Sequence, residues 1–299
     1  MIRFEELTKS YGRQRAVRSL SFAVEAGEAV ALLGPNGSGK TTTLKAAAGL
    51  IRPTSGRVWI GRPEREASDP RARRAISYLP QKVSFPDALT GAETLQFYQR
   101  LRGAPPARVG AALRFASLNG AADRAIGTYS GGMVQRLGLA VAVLPEAPVL
   151  LLDEPTAALD PDGLCAFYGL VERRRGEGHT LLFTSHQLGD VERLADRFLL
   201  LVEGGLAASF TQEELADRLS QRGVMRLRLD RTVPGLCEKL RGVTAGAVWS
   251  GEELVVVGPA RDRPKVLDVV RAAGAEIRNL SAEEARLDSL YRELVGGAP

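Results

Sequence analysis

The run Gly34-Pro35-Asn36-Gly37-Ser38-Gly39-Lys40-Thr41 satisfies every fixed position of the pattern G-x-x-x-x-G-K-[ST]. In such a loop the glycines let backbone N–H groups turn inward, and the N-terminus of the following helix completes an anion cradle. Lys40 reaches outer phosphates as a point charge, and the hydroxyl of Thr41, which Thr42 follows, is placed to hold Mg²⁺. Far downstream, Val149-Leu150-Leu151-Leu152 runs into Asp153-Glu154. Phosphoryl transfer asks a protein chiefly for positioned charge and an oriented nucleophile. Asp153 suits the metal position and Glu154 the activation of water. Ser130-Gly131-Gly132 heads an apolar-periodic stretch and offers a second anion site that its own chain's phosphate loop does not need. Two copies facing each other, each closing the other's nucleotide, would use both.

Three single residues join this set. Gln81 follows Ile76-Ser77-Tyr78-Leu79-Pro80 and could bind the metal or the attacking water. His186 follows an apolar run at Thr184-Ser185, where contact with a γ-phosphate is geometrically reasonable; by residue type alone a lone histidine is more often structural than catalytic. Tyr11 offers a face for stacking adenine, and a packed surface tyrosine is the alternative reading.

These residues need a scaffold of strands and helices. Val30-Ala31-Leu32-Leu33 reads as a buried strand feeding the glycine loop, and Thr41 to Gly49 as a helix closed by glycine. From about residue 86 to 143 the chain turns helical. Thr90-x-x-Glu93 is a capping box, Pro105-Pro106 separates two helices, and Val134, Leu137, Val141 and Leu144 fall on one face after Ser130. Buried-strand runs resume at Val149 to Leu152, Thr180 to Thr184 and Phe198 to Val202. The expectation is an α/β core with a mainly parallel, covered sheet and a helical insert. From about residue 222 the pattern restarts in β-α-β-β-α-β order, the ferredoxin-like arrangement, with Ser281-x-x-Glu284 capping a last helix that carries Leu287, Leu290, Tyr291 and Leu294. The expected domains are therefore 1–215, with a helical subdomain at about 86–143, and a small α+β accessory domain at 222–299.

Composition narrows the class. A chain of 299 residues with 44% hydrophobic and 25% charged residues can bury a sizeable core, and no apolar run approaches the roughly 18 residues of a membrane helix. The first residues, Met1-Ile2-Arg3-Phe4-Glu5, lack a secretory signal, so a cytoplasmic location is expected. Cys165 and Cys237 are far apart, and two histidines and three methionines make poor material for a transition-metal site. The net charge of +5 includes Arg71-Ala72-Arg73-Arg74 and Arg173-Arg174-Arg175, but no aromatics interleave them, so they read as solvated helix faces and no nucleic-acid partner is expected.

In their order these motifs resemble the nucleotide-binding subunits of ABC transporters over roughly residues 1 to 210. Tyr11 matches the adenine loop, Gly34 to Thr42 Walker A, Gln81 the Q-loop, and Ser130-Gly131-Gly132 the signature. Asp153 and Glu154 match Walker B with its catalytic glutamate, Ala158-Leu159-Asp160 the D-loop, and His186 the switch histidine. The resemblance implies an ABC-type P-loop NTPase core, ATP and Mg²⁺ as cofactors, a homodimer clamping two MgATP molecules, and an integral membrane permease as partner. The chain would then lie peripherally on the cytoplasmic face of the inner membrane.

Two departures stand out. Tyr129 and Met133 occupy the ends of a signature that usually reads Leu-Ser-Gly-Gly-Gln, and Ala157-Ala158 begins a D-loop where Ser-Ala is commoner. Stretches such as Val83-Ser84-Phe85-Pro86, Gly127-Thr128-Tyr129-Ser130 and Leu287-Asp288-Ser289-Leu290-Tyr291 look most similar to the ATPase of the transporter that matures copper-containing nitrous-oxide reductase. That likeness implies a periplasmic maturation protein reached through the permease. Drug- and lipid-exporter ATPases share parts of the same stretches and form the alternative. A soluble ABC ATPase of DNA repair or translation is the alternative of another class, although the long coiled coil or second cassette usual there is missing.

Overall fold

The computed structural model describes residues 1–157, 159–185, 187–221 and 223–283. Two compact units divide between Ser209 and Phe210.

In the first unit the central sheet has the strand order Gly205–Thr211, Arg197–Val202, Ala29–Leu33, Thr180–Thr184, Val149–Asp153, Ile76–Leu79. The pairs from Arg197–Val202 through to Ile76–Leu79 are all parallel. Ala29–Leu33, Val149–Asp153 and Thr180–Thr184 are buried at every position, which is why they read in the sequence as unbroken apolar runs. Parallel strands deliver their carboxyl ends to one edge. The glycine loop after Leu33, the turn after Leu79, the Asp153-Glu154 pair and Thr184-Ser185 therefore emerge there together.

A four-stranded sheet, in the order Gln14–Val24, Ile2–Tyr11, Ser55–Ile60, Arg65–Glu66, pairs antiparallel throughout. Its apolar positions Ile2, Phe4, Leu20, Val24, Val58 and Ile60 share one core with Leu44 and Ala47 of the helix Lys40–Ala47 and with Val30, Leu32, Leu151 and Leu182 of the central sheet. The helix that carries Lys40 and Thr41 is thus wedged between two sheets. It ends where expected, at a left-handed Gly49 (φ 67°).

The helical insert contains Gly91–Arg102, Arg108–Phe115 and Gly131–Val143 around Leu95, Leu113, Leu118, Ile126, Leu137 and Leu144. The capping box at Thr90 and Glu93 forms in both directions. Arg108 of this insert pairs with Glu146, which also meets Arg174 of the helix Pro161–Gly176 at 3.4 Å. The Arg108 guanidinium holds the Glu146 carboxyl below its ordinary value.

The second unit carries Val224–Leu229, Leu236–Leu240, Gly246–Ser250, Glu253–Val257, Arg263–Ala272 and Ile277–Glu283. Its sheet order is Gly246–Ser250, Glu253–Val257, Val224–Leu229, Ile277–Glu283, all antiparallel, which is the ferredoxin-like arrangement. Both helices pack on one face, bringing Leu236, Leu240, Val266 and Val270 against Met225, Leu227, Leu254 and Val256. Ser281 does not cap a helix: it is paired in the last strand opposite Arg226. Leu287, Leu290, Tyr291 and Leu294, expected on that helix, lie outside the described residues. An element absent from the expectations is the helix Gln212–Ser220, entered through a capping box at Thr211 and Glu214. Among the described residues no helix is long and apolar enough to cross a membrane.

Candidate active site

The glycine loop is shaped by close approach as much as by backbone freedom. A Cβ on Gly34 (φ 145°) would lie 2.1 Å from the Leu201 carbonyl oxygen, and one on Gly39 (φ 98°) 2.4 Å from that of Ala16. Any other residue there would push the loop off the neighbouring strands. Pro35, Asn36 and Gly37 form the more open arc, while Ser38 is buried with no hydrogen-bond partner for its Oγ among the described residues. Lys40, only 7% exposed, donates from Nζ to the carbonyls of Gly34 (2.7 Å) and Pro35 (3.0 Å). Burial pulls its ammonium below the ordinary lysine value, and the charges of Glu154 and Asp153 oppose that shift. The lysine therefore lies within electrostatic reach of both carboxylates.

Those carboxylates are organised by one hydroxyl. Asp153 is 1% exposed, and its Oδ1 accepts from Thr184 Oγ1 at 2.8 Å and from Thr41 Oγ1 at 3.2 Å. Its Oδ2 is buried and has no hydrogen-bond partner among the described residues. Burial pushes the Asp153 carboxyl above its ordinary value; the bonds from Thr184 and Thr41 oppose this, while the Glu154 charge adds to it. Glu154 begins the next turn with a left-handed backbone (φ 52°), and its N–H donates to Thr184 Oγ1 at 2.8 Å.

A hard divalent cation suits this donor set. Mg²⁺ prefers one or two carboxylate or hydroxyl oxygens and completes its shell with substrate phosphates and water. Asp153 Oδ2 is a buried oxygen without a partner, beside the Thr41 hydroxyl at the start of the loop's helix. Among the described residues no group of three or more His, Cys, Asp or Glu could hold a metal unaided, so the phosphates would have to supply the remaining ligands.

The other sequence-derived residues are placed as follows. Thr42 lies half-buried in the first turn of Lys40–Ala47. Gln81 is exposed in the turn after Ile76–Leu79, on the strand-end edge beside Asp153. Tyr11 ends its strand half-exposed, with Lys9 Nζ 5.0 Å above the ring, so a cation already covers one of its faces. Ser130 caps Gly131–Val143, accepting from the Met133 N–H at 3.3 Å, and Ser130 and Gly131 face solvent. His186 and Ala158 lie outside the described residues. The structure thus joins Lys40, Thr41, Asp153 and Glu154 into one cluster, and it leaves Ser130-Gly131-Gly132 on the helical insert, with no hydrogen bond to the glycine loop among those of the described residues.

Two features escape sequence reasoning. Thr184 ends an apolar strand, and only the strand order reveals that it stands between the glycine-loop strand and the acidic strand. Asp190, 3% exposed, accepts from Thr156 (2.6 Å), Ser185 (3.3 Å) and Tyr168, tying the turn after Glu154 to the segment after Thr184. Asp190 follows His186 by only four residues, but a single acid in a helix carries no signal of which hydroxyls it will meet.

Comparison with known proteins bears on the family and the fold. A family model described as ABC transporter matches residues 17–157. The chain is 36% identical to the uncharacterized ABC transporter ATP-binding protein YxlF of Bacillus subtilis (strain 168), over 99% of each chain. It is 34% identical to the daunorubicin/doxorubicin resistance ATP-binding protein DrrA of Streptomyces peucetius, over 97% of this chain and 91% of that one. Among solved structures, a dimeric post-hydrolysis ATP-binding cassette bound to ADP and Pi superposes with a TM-score of 0.66 at 26% identity, covering 71% of this chain and 99% of that one.

Proposed function

We propose, from the premise that this chain belongs to the ATP-binding proteins of ABC transporters, that it closes on ATP as a homodimer and uses hydrolysis to move a separate membrane permease. Membership makes the chain an ATP-hydrolysing cassette; the residue roles, the dimer and the partner are our reading. The observation that carries the roles is the buried Asp153, with one oxygen bonded to Thr41 and Thr184 and the other without a partner.

In this reading Gly34 to Thr42 wrap the phosphates, and Lys40 exchanges its bonds to the Gly34 and Pro35 carbonyls for bonds to phosphate oxygens. Thr41 and Asp153 hold Mg²⁺, which when bound would neutralise charge on the outer phosphates. Glu154 orients and activates water, Gln81 reaches the metal or that water, and His186 contacts the γ-phosphate. Tyr11 stacks adenine on the ring face away from Lys9. The solvent-facing Ser130-Gly131-Gly132 serves a second copy's nucleotide, and the dimeric relative bound to ADP and Pi supports that arrangement. The chain would sit peripherally on the cytoplasmic side of the membrane through its permease.

For cargo we favour export of a toxic small molecule, because the drug-resistance relative matches along nearly the whole chain, accessory domain included. Maturation of nitrous-oxide reductase, with a periplasmic partner, is a finer reading that neither relative named above supports.

The test is Glu154→Gln. The purified variant should bind MgATP, dimerise in light scattering, and lose turnover by about a hundredfold or more, the scale expected for removing a general base. The same substitution in the cell should raise sensitivity to the exported drug. A variant that stays monomeric with MgATP sinks the clamp, and retained hydrolysis sinks the role of Glu154.

A further inference from the structure

We propose that Thr184 is a positioning residue of the hydrolytic centre: its hydroxyl holds the turn at Glu154 and aims Asp153 so that Oδ2 faces the metal. This rests on the roles proposed above for Asp153 and Glu154.

Thr184 ends the strand Thr180–Thr184, which lies between the glycine-loop strand and the acidic strand, and it pairs in register with Leu32 on one side and Asp153 on the other. It is 0% exposed, so bulk solvent does not reach its hydroxyl. The bonding direction is forced. A backbone N–H can only donate, so Thr184 Oγ1 accepts from Glu154. An ionised carboxylate can only accept, so the hydroxyl's single proton goes to Asp153 Oδ1 at 2.8 Å. Together with Thr41 this occupies Oδ1 and leaves Oδ2 without a partner.

The same bond steadies a strained backbone. Glu154 has φ 52°, a left-handed conformation that an ordinary side chain adopts only when its surroundings hold it there. The bond to Thr184 supplies part of that hold, and it fixes where the Glu154 side chain leaves the backbone. Threonine suits the task because its β-methyl restricts χ1 and keeps the hydroxyl in one orientation.

The experiment compares Thr184→Val, which keeps the shape and removes the hydroxyl, with Thr184→Ser, which keeps the hydroxyl, in the full-length protein. Turnover, KM for ATP, and affinity for a fluorescent ATP analogue with Mg²⁺ or with EDTA are measured beside Glu154→Gln. Thr184→Val should lower kcat by about 10- to 100-fold, the usual loss when a bond that orients a metal ligand is removed, with little change in KM. The gain in analogue affinity on adding Mg²⁺ should shrink. Thr184→Ser should recover both readouts. If Thr184→Val does not fold, Thr184→Cys, a weak donor of similar size, carries the same comparison.

Normal kcat and a normal Mg²⁺ response in the hydroxyl-free variant overturn the proposal. Equal damage in Thr184→Ser also overturns it, because packing rather than the hydroxyl would then matter. A dead Glu154→Gln beside an active Thr184→Val refutes Thr184 alone, whereas an active Glu154→Gln removes the hydrolytic centre itself and the proposal with it.

Discussion

Gly34 and Gly37 look equivalent in the glycine loop, yet different forces act on them. Both have positive φ, 145° and 83°, but a Cβ on Gly37 meets nothing within 4 Å while one on Gly34 meets the Leu201 carbonyl at 2.1 Å. Gly37→Ala should therefore cost only the left-handed penalty, about 1–2 kcal/mol. At roughly 2–4 °C per kcal/mol for a domain of this size, that is a modest drop in melting temperature. Gly34→Ala must move backbone against backbone, so its melting temperature should fall distinctly further and its ATP affinity should collapse. Thermal unfolding of the two variants side by side decides the matter, and equal shifts would mean that the contact with Leu201 does not shape the loop. The glycine spacing was readable in the sequence because the loop is local. That Leu201 presses on it was not, because the contact joins residues far apart in the chain.

At the scale of elements, the unusual signature has a packing explanation. The Tyr129 hydroxyl donates to the Ala121 carbonyl at 2.7 Å, and its ring joins the core of the helical insert. That hydroxyl lies 2.4 Å from where a Cβ on Gly91 would sit, so the tyrosine, in the extended stretch before Gly131–Val143, and the glycine that opens Gly91–Arg102 fit as a pair. Met133, at the other end of the signature, turns its side chain onto the same core. The pair predicts non-additivity. Gly91→Ala should destabilise the wild type, but much less in a Tyr129→Phe background, where the clashing oxygen is gone. The coupling should fall in the range of about 0.5–3 kcal/mol found for contacting residues. A double-mutant cycle by urea denaturation measures it, and zero coupling would leave the departure from leucine unexplained. The helices themselves were legible, because capping boxes and apolar periodicity are local signals. Ser281 misled because a cap signal was outweighed by strand pairing opposite Arg226, and the helix Gln212–Ser220 was missed although Thr211 and Glu214 signal its start. The role of Thr184 depends on which strands are neighbours, which no short stretch of sequence encodes.

For the whole molecule, the proposed pairing of Ser130-Gly131-Gly132 with a second copy's nucleotide rests on a signature whose side-chain bond, from Met133 N–H to Ser130 Oγ, stays within its own helix cap. Gly131 makes the test clean. It is exposed, a Cβ there meets nothing within 4 Å, and it stands at the first position of a helix, where a carboxylate is favoured. Gly131→Asp should fold as well as the wild type, yet place a negative charge where the other copy's phosphate would sit. Lys40→Ala damages the opposite half of the composite site. Each variant alone should be inactive. Mixing them creates heterodimers in which one site carries both lesions and the other carries neither. Equal mixing of a symmetric dimer makes half of the dimers mixed, so about a quarter of all sites are intact. ATP turnover should rise from near zero toward that fraction as the two proteins are titrated together, and light scattering with MgATP should show at least as much dimer in the mixture as in either variant alone. If each signature served its own chain's loop, no proportion would restore activity, and the pairing of two copies across their nucleotides would have to be abandoned.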